Sequence, residues 1–144
     1  MRFMILQKAD QKTGAGVLPG EKLLAAMGKY MEEMGKADVL LAAEGLQPTS
    51  KGVRVKFSGG KPAILDGPFA ETKELIAGFC LIQVKSKDEA IEWVRRWPAI
   101  DTDGNVEIEI RQVFEADDFG PEFTPELREA EERLRAQVEK GAKK

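Results

Sequence analysis

Hydrophobic residues fall along the chain in runs of different period, and each run predicts an element. Phe3 to Leu6 form an unbroken apolar stretch inside Arg2–Lys8, as expected of a strand covered on both faces. Asp10 to Gly20, with Gly14, Gly16 and Pro19-Gly20, reads as a loop. From Glu21, apolar residues Leu23, Met27, Tyr30, Met31 and Met34 recur at helical steps, predicting a helix that stops near Gly35. Beyond Val39–Leu41, Glu44-Gly45-Leu46-Gln47-Pro48 breaks regular structure. Val53, Val55 and Phe57 then alternate with Arg54 and Lys56, the mark of a half-covered strand. Gly59-Gly60 supplies a tight turn to a second strand over Lys61–Leu65.

After the turn at Gly67-Pro68, Phe79–Val84 reads as a strand. Ser86 and Glu89 then form a capping box for a helix whose apolar face is Ala90, Trp93, Val94 and Trp97, ended by Pro98. Val106, Ile108 and Ile110 alternate with Glu107, Glu109 and Arg111 in a last strand running to Phe114. Past Gly120-Pro121, Leu127, Ala130, Leu134 and Val138 make a narrow stripe on an otherwise charged helix, an appendage expected to dock on the domain or on a second subunit.

The order predicts an α+β domain with a ferredoxin-like β-α-β-β-α-β core over residues 1–115 and a helical extension over 116–144. Arg54, Lys56, Glu107, Glu109 and Arg111 alternate with the apolar positions of their strands, so the sheet face away from the helices is expected to be polar. Two such sheets packed together would enclose a polar cavity between protomers.

Composition narrows the chemistry. The 144-residue chain has no histidine and one cysteine, Cys80. Histidine-dependent nucleophiles, HExxH zinc sites and disulfides within the chain are thereby excluded. Any catalysis would run on carboxylates, Lys, Arg, Tyr30, hydroxyls or backbone groups, without a metal or other cofactor. A net charge of -3 argues against nucleic acid as a partner. No apolar run reaches the length of a membrane span, and the short run at the N-terminus is too brief for a signal peptide, so a cytoplasmic protein is expected. The glycines match neither a phosphate-binding P-loop nor a dinucleotide fingerprint.

DGPFAETKE, Asp66 to Glu74, followed by LIAGFCLIQVKSKDEAIEW, resembles the signature of the YCII-related (DGPF-domain) family, with GLQP near position 46 and EIRQV near position 110 in matching places. The resemblance covers about Met1 to Glu115. It implies a homodimeric α+β barrel built from two ferredoxin-like sheets. Most members of the family are uncharacterised, some relatives are described alongside sigma factors, and a distant branch acts on chlorinated hydroquinones through a proposed His-Asp pair. This chain supplies the aspartate, Asp66, and lacks the histidine.

The candidate site follows. Asp66 is the candidate catalytic acid/base, a role that requires burial, and its local alternative is an Asx-type turn. Glu44, Arg54, Lys73 and Arg111 are the candidate substrate-binding residues, with guanidinium groups suited to forking onto an anionic ligand. Their alternatives are solvated charge, for Lys73 with Glu71 and Glu74, and cross-strand pairing with Glu107 and Glu109 for Arg54 and Arg111. Tyr30 and Cys80 read as core residues. The functional expectation is a homodimer binding a small anionic or phenolic molecule, with isomerase- or lyase-type proton transfer if it is an enzyme. The alternative is a non-enzymatic, transcription-associated interaction module.

Overall fold

The computed structural model describes residues 1–10, 13, 15–70, 74–100 and 105–142. These form two compact units, Met1–Val113 and Phe114–Lys144.

In the first unit the chain runs β1 (Arg2–Lys8), α1 (Glu21–Lys36), β2 (Leu40–Gly45), β3 (Val53–Ser58), β4 (Lys61–Asp66), β5 (Ile76–Gln83), α2 (Lys87–Arg95) and β6 (Ile108–Gln112). Four of the six strands make one antiparallel sheet in the order β2-β5-β1-β6. With α1 between β1 and β2, and α2 between β5 and β6, this is the ferredoxin-like β-α-β-β-α-β arrangement. Among the described residues β3 and β4 pair only with each other, as a hairpin inserted between β2 and β5.

That placement corrects two expectations. β2 was not predicted, because Ala42, Ala43 and Gly45 are weak strand formers and a bulge between Leu40 and Ala42 disrupts the period of two. The hairpin, read from sequence as part of the core sheet, forms a sheet of its own. Its turn is as expected: Gly59 and Gly60 have φ of 58° and 81°, the left-handed values a two-residue hairpin turn needs.

Alternation along β1 and β5 sends Phe3, Ile5, Cys80 and Ile82 into the core, where Tyr30 and Met34 of α1 and Ala90 of α2 meet them. Burying a large apolar side chain of this kind stabilises the fold by roughly 1.5–3 kcal/mol. The Tyr30 hydroxyl donates to the Trp93 carbonyl at 2.6 Å, and its ring meets Trp97 edge-on at 5.6 Å, locking α1 to α2. Ser86 caps α2, its Oγ accepting from the Glu89 N–H at 3.1 Å while the Glu89 carboxylate accepts from the Lys85 N–H at 2.9 Å.

The second unit centres on α3 (Pro125–Ala142). Phe114, Phe119 and Phe123 stack in series with centroid separations of 5.0 and 5.4 Å, and Arg128 reaches back to the Asp117 carboxylate at 3.1 Å and the Ala116 carbonyl at 3.2 Å. Glu129–Arg133 and Glu131–Arg135 lace the helix surface at i,i+4 spacing. Leu127, Leu134 and Val138 are exposed.

Candidate functional site

The face of the four-stranded sheet turned away from the core is built of two rows, because residues opposite each other on neighbouring strands share a face. One row reads Glu44, Phe79, Leu6, Glu109 across β2, β5, β1 and β6; the next reads Ala42, Leu81, Met4, Arg111. The centre of this open face is therefore apolar, with charge at its two edges. The expectation of a polar face holds for the edge strands and fails for the middle. β1 and β5 carry unbroken apolar runs, so they present hydrophobic residues on both sides, whereas the alternating β6 puts acid and base outward. Met4, Leu6, Phe79 and Leu81 are half-buried in the single chain.

Arg111 lies on the β6 edge, and its guanidinium pairs with the Glu109 carboxylate at 3.6 Å, which in turn accepts an ion pair from Lys8 at 3.3 Å. Arg111 thus pairs with Glu109 along its own strand and not across strands, and such exposed pairs contribute less than about 1 kcal/mol. Glu44 is exposed on the opposite edge, beside Phe79.

Arg54 and Asp66 sit elsewhere, at the root of the hairpin. Arg54 lies opposite Leu65 and Asp66 opposite Val53, so neither belongs to the open face on which the strand alternation was expected to put Arg54. Arg54 stacks its guanidinium over the Phe69 ring, 3.9 Å from the centroid. Asp66 is exposed in the single chain. Lys73 and Glu71 lie outside the described residues, as does Gly14.

The signature has a local structural logic. Gly67 packs so closely on the backbone of Thr49 that a Cβ there would run into its carbonyl group. The Gly67 N–H donates to the Gly52 carbonyl at 2.9 Å, and the Phe69 N–H donates to the Thr49 hydroxyl at 3.1 Å. Gly67 and Phe69 of the motif thereby tie the base of the hairpin to Thr49 and Gly52, and the Gly67-Pro68 peptide bond is cis. The Asp66 carboxylate is given no role by this packing.

Two further features bear on chemistry. A cleft of about 360 Å³ opens where β1 ends and β6 begins, lined by Gln7, Lys8, Asp10, Asn105 and Glu107 among others. Sequence reasoning missed it, since residues nearly a hundred positions apart meet there only through β1–β6 pairing. Cys80 is buried, and burial pushes its thiol up to about 11, which keeps it protonated and inert at neutral pH. Among the described residues, no group of three acids or cysteines is placed to hold a metal ion, and no helix is long and apolar enough to cross a membrane.

Comparison with known proteins places this architecture. The YCII-related domain model matches residues 1–117. An uncharacterised protein of Rhizobium meliloti (strain 1021) is 41% identical over 73 residues, 51% of this chain and 56% of that protein. The match thus spans little more than half of that relative. Among solved structures, 5-chloro-2-hydroxyhydroquinone dehydrochlorinase from Burkholderia phenoliruptrix AC1100, in complex with 2,5-dihydroxybenzoquinone, aligns with a TM-score of 0.41 and 17% identity, covering 81% of this chain and 98% of that one.

Proposed function

The chain belongs to the YCII-related family, and on that footing we propose that it acts as a homodimer binding a small anionic or phenolic molecule against the open face of its four-stranded sheet. The observation that carries this reading is the composition of that face. Met4, Leu6, Phe79 and Leu81 make an apolar floor suited to a planar ring, and the flanking Arg111 and Glu44 offer a cation and a carboxylate at its edges. Ligand sites of this size are mostly apolar with a few well-placed polar groups, and a lone open sheet face becomes such a site only when a second surface closes over it. A second copy of the sheet supplies that surface and removes the apolar floor from water.

Within this reading Asp66 is the acid/base group, brought to the ligand by the hairpin and not by the sheet face, and Arg54, at the same hairpin root, and Lys73 orient an anionic substituent. With no histidine in the chain, carboxylate-driven isomerisation or elimination is the chemistry in reach. Thermal-shift measurements on wild type and Asp66→Asn against small carboxylates and phenols test it. The reading predicts compounds that stabilise wild type by several degrees and lose that effect in a folded Asp66→Asn variant. Compounds that stabilise both proteins equally would remove Asp66 from the site, and a panel with no stabilising member would remove the small-molecule role.

A second reading is favoured by the exposed stripe Leu127, Leu134 and Val138 on α3. In it the chain is an interaction module, and the charged amphipathic helix engages a protein partner. A chain truncated before α3 that keeps every partner retained by the full chain would contradict it.

A further inference from the structure

The inserted hairpin has two unlike faces. Its register puts Val53, Val55, Phe57, Pro62 and Ile64 on one side, with Asp66 opposite Val53 at the root of that same side. Arg54, Lys56, Ser58 and Lys61 lie on the other, together with Ala63 and the exposed Leu65 near the root, so that face is mainly polar. Every residue of both strands is exposed, and Val53, Val55, Phe57 and Ile64 are exposed by 59%, 51%, 70% and 72%. A two-stranded hairpin left to itself is marginal in water, so a permanent apolar face on one calls for a permanent cover.

The size and chemistry of the patch indicate what covers it. These side chains present on the order of 400 Å² of apolar surface, within the range where a contiguous patch marks an interaction site. In a two-fold dimer the patch occurs twice and each copy covers a comparable area of its partner, for a total of roughly 1,600 Å², the standard size of a stable interface. No charged residue interrupts the patch above Asp66, so its complement is apolar. The same chain carries such a complement in the half-buried Met4, Leu6, Phe79 and Leu81, and another copy of the chain is the partner present wherever the protein is made. The root of the hairpin is fixed for such a role, with Gly67 against Thr49 and Phe69 beneath Arg54.

We propose that the β3–β4 hairpin is a dimerisation arm whose apolar face lies against a second copy of the chain and carries Asp66 of the signature into the interface. The inference rests on the homodimer reading and extends it, since it makes the acid of the site a group enclosed only in the assembled protein.

Thiol alkylation of full-length Phe57→Cys tests the arm, with Lys56→Cys on the opposite face as control. The chain's own Cys80 is 1% exposed and does not compete for reagent. At concentrations where the chain sediments as a dimer, position 57 is expected to react at least tenfold more slowly than position 56, and to lose that protection on dilution to monomer. A Phe57→Cys or Ile64→Lys chain that keeps its circular dichroism but sediments as a monomer, where wild type is dimeric, supports the arm equally. Equal reactivity at positions 56 and 57 in a dimeric protein overturns the arm and leaves the homodimer standing. A wild type monomeric at every concentration overturns both, and protection of position 57 that appears only after another protein is added assigns the face to a different occupant and also overturns the proposal.

Discussion

Gly67 is the residue at which the signature meets a physical requirement. Any side chain there collides with the Thr49 carbonyl, and relieving the collision means moving the hairpin root. Gly67→Ala is expected to destabilise the first unit by about 1–3 kcal/mol, the cost typical of overpacking, readable as a lowered urea midpoint at unchanged slope. Two buried groups make a pH prediction. Cys80 rises from 9.0 to about 11 through burial, and Tyr30 from 10.0 to about 12 through burial first and the neighbouring Cys80 and Glu33 second, against a lowering influence of Arg96. Both stay protonated in the folded chain at pH values where the unfolded chain has released its protons, so they destabilise the fold as pH rises. Their stabilising contribution is whole below about pH 9 and is lost between about pH 9 and 12. Denaturation midpoints at pH 8, 10 and 11 should fall in that order, and Tyr30→Phe should flatten the decline above pH 10 while weakening the fold at every pH by about 1 kcal/mol for the lost bond to Trp93. The core roles of Tyr30 and Cys80 were legible from sequence, because a helical stripe and an apolar strand run already assign them inward. The surroundings of Asp66 and Arg54 were not, since both depend on a hairpin packing against Thr49–Lys51 that no periodicity encodes.

At the scale of elements, a sequence period gives reliable warning of structure only where one face is buried and the other wet. α1 and α2 obey that rule, and their observed limits lie close to those the pattern predicts, whereas the hairpin keeps its alternation with both faces exposed and β1 was read from an unbroken apolar run. β2 does not, because alanines and a bulge erase its alternation, and missing it moved the hairpin into the core sheet on paper. The cap of α2 was legible: Ser86 accepts from the Glu89 N–H as the spacing implies, while the Glu89 carboxylate reaches one residue further back, to the Lys85 N–H. Ser86→Ala should therefore cost about 1 kcal/mol, seen as a fall of roughly 2–4 °C in Tm for a chain of this size, whereas Ser86→Asp should leave Tm near the wild-type value.

For the whole molecule, the informative quantity is apolar surface with nothing over it in one copy of the chain. The central strand β1 was read from sequence as covered on both faces, yet the core lies against one face of the sheet. Met4, Leu6, Phe79 and Leu81 on the other face are half-buried, and the apolar side of the hairpin is exposed. In the proposed homodimer a second copy of the sheet would cover this surface and enclose the space in which Glu44 and Arg111, with Asp66 of the hairpin, are proposed to act. Sedimentation of wild type and Leu6→Glu across micromolar concentrations tests that claim most directly. The account predicts a wild-type particle of twice the 15.9 kDa chain mass and a folded, monomeric Leu6→Glu. A wild type that sediments at the mass of one chain throughout, or a Leu6→Glu chain that remains dimeric, would contradict it.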